Sequence, residues 1–95
     1  MRLLDMIEKR EVIIKNKTGL HARPAAVFVQ IANKYDSEIS ITKDNQKVNG
    51  KSIMGILMLA AEKGAKVIIT AEGDDAKEAI EELSGMLLRD EETGF

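Results

Sequence analysis

The chain of 95 residues has no cysteine and no tryptophan, a single proline, a single histidine and only 3% aromatic residues. Without cysteine there is neither a disulfide framework nor a thiolate metal site, so the core alone must hold the fold. One histidine excludes a His-rich metal centre, and the shortage of aromatics leaves no stacking platform for bases. No metal or other cofactor is expected. No apolar run approaches the ~20 residues of a membrane span, and the polar N-terminus does not read as a signal peptide. The expectation is a soluble cytoplasmic monomer without membrane insertion.

What is present is an apolar content of 44%, enough for one small domain over residues 1–95. Residues 1–7 are expected to form a disordered extension, with Met6 as an alternative start. The net charge of −2 hides a split: residues 72–95 carry nine acids against two bases, and residues 1–71 carry twelve bases against seven acids. The acidic C-terminal part reads as a solvated face. The basic remainder suits an acidic protein surface better than nucleic acid, because arginines are not clustered and aromatics do not interleave them. Nucleic acid is not an expected partner.

The periodicity yields seven elements. Glu11 to Lys17 is β-branched and short, a strand. Apolar spacing from Pro24 to Tyr35 is helical, and a proline is tolerated in a helix's first turn, so that helix begins at or a few residues before Pro24. Glu38–Lys43 alternates as a half-buried strand, Asp44-Asn45 turns, and Gln46–Val48 returns. Ser52 is placed as an N-cap ahead of a helix over Ile53–Ala61, with Gly64 as the stop. Lys66–Ala71 is a strand. Gly73-Asp74-Asp75 opens a last helix that puts Ala76, Ala79, Ile80, Leu83 and Leu87 on the core. The order β-α-β-β-α-β-α implies an α+β open-faced sandwich: a four-stranded, mostly antiparallel sheet with three helices on one face.

The segment Gly19-Leu20-His21-Ala22-Arg23-Pro24-Ala25-Ala26 holds the only histidine and the only proline. Pro24 sets the helix start, so His21 falls at or just before the first turn. Free backbone N–H groups and the positive end of the dipole make that position an anion site. Arg23 adds a planar donor fork suited to phosphate oxygens. A neutral imidazole is nucleophilic near pH 7, so the group fits a nucleophile that accepts a phosphoryl group and holds it for onward transfer. There is no Gly-rich phosphate cradle and no acidic pair that would hold Mg²⁺. A lone histidine also fits a surface or capping role, and spacing alone does not decide between these.

The strings GLHARPAA (19–26) and NGKSIMGILML (49–59) together resemble HPr, the histidine-containing phosphocarrier family of the bacterial phosphoenolpyruvate-dependent sugar phosphotransferase system. The resemblance runs over about residues 8–90. It implies that His21 accepts phosphate on Nδ1 from phosphorylated enzyme I, that Arg23 assists, and that IIA domains of sugar permeases take the group onward. Such a protein is a phosphohistidine carrier rather than a stand-alone catalyst. A regulatory paralogue in the family replaces this histidine, which this chain retains. A nitrogen-regulatory paralogue shares the histidine and is the alternative within the class; a structural or RNA-binding α+β module is the alternative outside it.

Eight of the nine positions from Ile53 to Ala61 are apolar, the exception being Gly55. A short helix on a sheet buries one side, so some of Ile53, Met54, Leu57 and Met58 should be exposed, as at a binding surface. The resemblance implies a docking patch of Ile53, Met54 and Leu57, flanked by the small Ala22 and Ala26. Ser52 has a sufficient structural explanation as an N-cap. Its context, Lys51-Ser52-Ile53-Met54-Gly55, is similar to the form phosphorylated by the ATP-dependent HPr kinase/phosphorylase. The resemblance therefore implies a regulatory site at Ser52, whose phosphorylated form binds the catabolite control protein and serves catabolite repression. Lys17, Lys34 and Lys51 would add to the positive field at His21 if the fold gathers them.

Overall fold

The computed structural model describes residues 6–89. The elements follow in the order β1 (Ile7–Ile13), α1 (Ala22–Ala32), β2 (Glu38–Lys43), β3 (Gln46–Asn49), α2 (Ile53–Leu59), β4 (Lys66–Glu72) and α3 (Ala76–Leu88). The strands form one sheet in the order β1-β4-β2-β3, and every pairing is antiparallel. The sheet follows the two-residue alternation of its strands. Val12, Ile39, Ile41, Val67, Ile69 and Ala71 point inward and are buried, whereas Ile13 and Ile68 lie on the open face and are exposed. The helices cover the inner face, contributing Phe28, Ile56, Leu59, Ile80, Leu83 and Leu87 to a single core. This is the open-faced α+β sandwich expected from the element order.

Several boundaries differ from those expected. β1 runs Ile7–Ile13, not 11–17, because its register against β4 pairs Ile7 with Glu72 and Ile13 with Lys66. As an edge strand it tolerates the charged run Glu8-Lys9-Arg10-Glu11, which obscured its beginning in the sequence. Beyond it the chain leaves the sheet: Ile14 N donates to Ala65 O (3.0 Å) and Lys15 N to Leu87 O (2.9 Å). Of the extension expected over 1–7, Ile7 opens β1 and the Met6 carbonyl accepts from Gly73 N at 3.0 Å, while residues 1–5 lie outside the described residues.

α1 starts at Ala22 and ends at Ala32, so Tyr35 lies past it; the Asn33 side chain closes the last turn on Val29 O at 2.9 Å. α2 stops at Leu59, short of Ala61, where Ala60 turns left-handed (φ 52, ψ 41). Lys43 Nζ reaches the carbonyls of Leu59 (3.3 Å) and Ala60 (3.5 Å), supplying positive charge at the end of the helix dipole. Gly64 is not the stop but a later turn that donates to Ile14 O at 2.8 Å.

Two polar ties join the helices to one another and to the sheet loops. Glu82 on α3 accepts from Tyr35 Oη (2.5 Å) and Lys34 Nζ (2.8 Å), and this lowers its pKa, with the Lys34 bond the larger cause. The same contact pushes the Tyr35 phenol up to about 12. Asp75 precedes α3, yet its carboxylate does not cap that helix. It accepts instead from Ser37 Oγ (2.5 Å), Ser37 N (3.0 Å) and Asp36 N (2.9 Å), which hold its pKa below the ordinary value. With Glu81 paired to Arg10 at 3.2 Å, the acidic side of α3 is partly engaged rather than a purely solvated face.

Candidate functional site

His21 is the N-cap residue of α1, extended at φ −119 and ψ 156, and its half-buried side chain makes no capping hydrogen bond. The first intrahelical bond is Ala25 N to His21 O, at 3.4 Å. The N–H groups of Ala22 and Arg23 therefore precede the hydrogen-bonded ladder and face outward with the positive end of the helix dipole. Ala22 takes φ +45, an uncommon conformation for a residue with a Cβ. Arg23 is exposed and, among the described residues, makes no ion pair or hydrogen bond. Pro24 is buried in the first turn, where its missing N–H removes no helix bond.

The segment leading to His21 is held at three places. Lys15 N bonds Leu87 O near the end of α3, Gly19 N closes a turn on Asn16 O (3.2 Å), and Leu20 N bonds Ala61 O (2.8 Å). Leu20 is fully buried, so the next residue is delivered to the surface at a set position. Gly19 is required twice over: its φ is +70, and a Cβ there would stand 2.5 Å from Ala61 O. These bonds bring His21 to the end of α2 that is followed by Ala60 and Ala61.

Ser52 caps the opposite end of α2, its Oγ accepting from Gly55 N at 3.1 Å. Gly55 lets the helix lie close on β3, since a Cβ there would come within 3.2 Å of Asn49 O. Along α2, Ile53 (38%), Met54 (64%), Leu57 (39%) and Met58 (66%) are exposed, while Ile56 and Leu59 are buried. All four candidate positions thus face solvent and form one apolar stripe. Met58, left out of the docking set, is as exposed as Met54; a spacing of four on a helix already puts the two on one face. Ala22 is exposed and Ala26 is half-buried, so both are small residues at the start of α1.

Of the residues singled out, His21, Ala22, Arg23 and Ala26 share the first turns of α1, and the apolar stripe runs along α2 beside it. Ser52 lies apart from them. Lys51 Nζ donates to Tyr35 O (2.6 Å), which places Ser52 toward the C-terminal end of α1. An eleven-residue helix, about 16 Å long, separates that end from His21. Lys34 and Lys51 are likewise at the far end, Lys34 paired with Glu82, so neither joins a positive field at His21. Helix count could have shown the Lys34 separation in the sequence; the Lys51 contact is tertiary.

The fold is an open-faced α+β sandwich that puts a histidine at a helix start, two residues before an exposed arginine. The family profile described as the PTS HPr component phosphorylation site matches residues 8–88, and the chain belongs to the HPr family. It is 55% identical to the HPr-like protein Crh of Halalkalibacterium halodurans over 82% of this chain and 92% of that protein. The phosphocarrier protein HPr of Bacillus anthracis superposes with a TM-score of 0.84 at 48% identity, covering 85% of this chain and 96% of that one. The HPr dimer of Thermoanaerobacter tengcongensis superposes at 0.67 with 60% identity, covering 77% and 84%.

Proposed function

We propose that this chain carries a phosphoryl group on His21, accepted from phosphorylated enzyme I and passed to IIA domains of sugar permeases. The observation that supports this most directly is the lone histidine at the N-cap of α1, its ring engaged in no capping bond, two residues before the exposed Arg23. In the step, a ring nitrogen of His21 attacks phosphorus, the new P–N bond forms, and the bond to enzyme I breaks. On this reading the N–H groups of Ala22 and Arg23 and the Arg23 fork share the phosphate charge. The apolar stripe of Ile53, Met54 and Leu57, with Ala22 and Ala26, is the docking surface for both partners. Labelled phosphoenolpyruvate with enzyme I should leave one acid-labile, alkali-stable label on this protein. A His21→Ala variant should take none; label remaining on it would overturn the assignment.

Regulation at Ser52 belongs to the same proposal. Its Oγ serves the cap as an acceptor, a role an ester oxygen retains, so a phosphate from HPr kinase/phosphorylase would sit at the start of α2 and leave the helix in place. The added charge stands beside exposed Ile53 and Met54 and opposes docking of an acidic enzyme I surface. The catabolite control protein is the partner proposed for the seryl-phosphorylated form.

A second reading is favoured by the 55% identity to a relative named as an HPr-like protein: a regulatory paralogue that takes no part in sugar transfer. Retention of His21 supports the carrier instead, and the same labelling experiment separates the two. Transfer to a nitrogen-type IIA in preference to a sugar IIA would move the assignment to the nitrogen-regulatory branch. The protein is proposed to act in the cytoplasm; no helix among the described residues is long and apolar enough to cross a membrane. It is proposed to act as a monomer, although three solved structures of relatives, two of Crh and one of HPr, are described as dimers. Light scattering at micromolar concentration should return one protomer's mass, and a doubled mass would replace that assignment.

A further inference from the structure

We infer, on the carrier reading, that Met54 and Met58 form a peroxide-sensitive pair whose conversion to methionine sulfoxide uncouples the docking face from its partners. The chain has five methionines and no cysteine, so a two-electron oxidant meets no thiol and reacts at thioethers. Within the described residues these thioethers are unequal. Met54 is 64% and Met58 66% exposed, whereas Met86 is 3% exposed in the core. Met6 is half-buried.

Met54 and Met58 stand four residues apart on α2 and so lie one above the other on the same face. They are the two most exposed members of the apolar stripe completed by Ile53 (38%) and Leu57 (39%). A peroxide reaching this face meets both sulfurs without any opening of the fold. A sulfur lone pair attacks one peroxide oxygen, the S–O bond forms as the O–O bond breaks, and the departing hydroxide takes the proton from the sulfur-bound hydroxyl, leaving the sulfoxide and water. The thioether is oxidised by two electrons and the peroxide is reduced by two.

The product is polar and a strong hydrogen-bond acceptor, so an apolar partner surface closing over it must desolvate two sulfoxide oxygens with no donor to receive them. Folding is spared because both side chains already stand in water. The core beneath, Ile56 and Leu59, is untouched. The consequence is loss of docking with the phosphate acceptor at His21 intact. Methionine sulfoxide reductases act on exposed residues of this kind, which makes the change reversible.

The test uses the whole protein, hydrogen peroxide and peptide mass mapping, followed by phosphoryl transfer from enzyme I. Oxygen should appear on Met54 and Met58 well before Met86, with far-ultraviolet circular dichroism unchanged. The doubly oxidised protein should show a KM for enzyme I raised about tenfold or more, reversed by the reductases. Each variant is compared with its own untreated form: Met54→Leu/Met58→Leu should keep its starting rate after peroxide, and Met86→Leu should remain fully sensitive. Equal transfer before and after oxidation, an equal loss in the double leucine variant, or oxidation of Met86 first would overturn the inference. If untreated protein takes no label from enzyme I, the carrier reading itself fails, and the order of oxidation in the mass map still decides the fate of the methionine site.

Discussion

At the scale of single residues, the site depends on backbone positions as much as on reactive groups. Gly19 sits at φ +70 with Ala61 O where a Cβ would be, so Gly19→Ala should cost about 2–3 kcal/mol, read from the urea midpoint. Ala22 occupies φ +45 beside His21 with no glycine to ease it. Ala22→Gly should therefore stabilise the fold by about 0.5–1 kcal/mol, the relief of strain exceeding the entropy that glycine adds to the unfolded chain. A urea curve shifted to lower concentration would show that the loop imposes no strain there. Arg23 is a different case, since it is exposed and free. Arg23→Ala should leave stability within experimental error and slow labelling of His21 by at least about tenfold in single-turnover transfer from enzyme I.

Elements are joined by a few buried or half-buried polar ties, and these set the response to pH. Asp75 and Glu82 both have pKa values lowered by their donors, Ser37 foremost for one and Lys34 for the other. A lowered folded pKa adds stability that is present above the ordinary carboxylate range, about pH 4, and is lost as pH falls through the folded value. Asp75→Asn should therefore lower stability at pH 7 and flatten its decline in acid, as followed by thermal melting from pH 6 to 2. Tyr35 has the opposite sign: its pKa is raised to about 12, so the contribution of its neutral phenol persists below about pH 10 and fades between there and 12. Tyr35→Phe should remove that alkaline decline. At α2, Ser52→Ala should cost about 1 kcal/mol through the lost cap, whereas Ser52→Asp should preserve the helix and slow transfer from enzyme I. Equal rates for the aspartate variant and the wild type would count against regulation at Ser52.

For the whole molecule, one sheet face is covered by three helices and the other is open, so the core is a single layer with Phe28 fully buried in it. A domain this small has little stability to spare, and Phe28→Ala should cost about 3–5 kcal/mol, enough to bring thermal unfolding close to ambient temperature. The arrangement also separates the two proposed sites in space. His21 and Ser52 sit at opposite ends of α2 and toward opposite ends of α1. Direct contact between Ser52 and His21 is therefore excluded, and on the proposed function Ser52 acts on His21 through partner docking along the exposed stripe.

Much of this was legible in the chain itself. Strand alternation and helical spacing established seven elements in their order, because periods of two and 3.6 residues are local properties of each segment. Pro24 placed the helix start, and with it His21 and Arg23, because proline is admitted to a helix only near its beginning. Ser52 followed from the chemistry of caps. The edge strand β1 was misplaced because its pairing with β4 overrides a charged, aperiodic stretch, and α2 ended early because Ala60 turns left-handed, its N–H closing on Leu57 O and its carbonyl meeting Lys43 Nζ from β2. Which side of α2 faces water, where Lys34 and Lys51 spend their charge, and that Asp75 reaches across to Ser37 were decided by the tertiary structure alone. Those features depend on distances between residues far apart in the chain, and no local period or propensity encodes them.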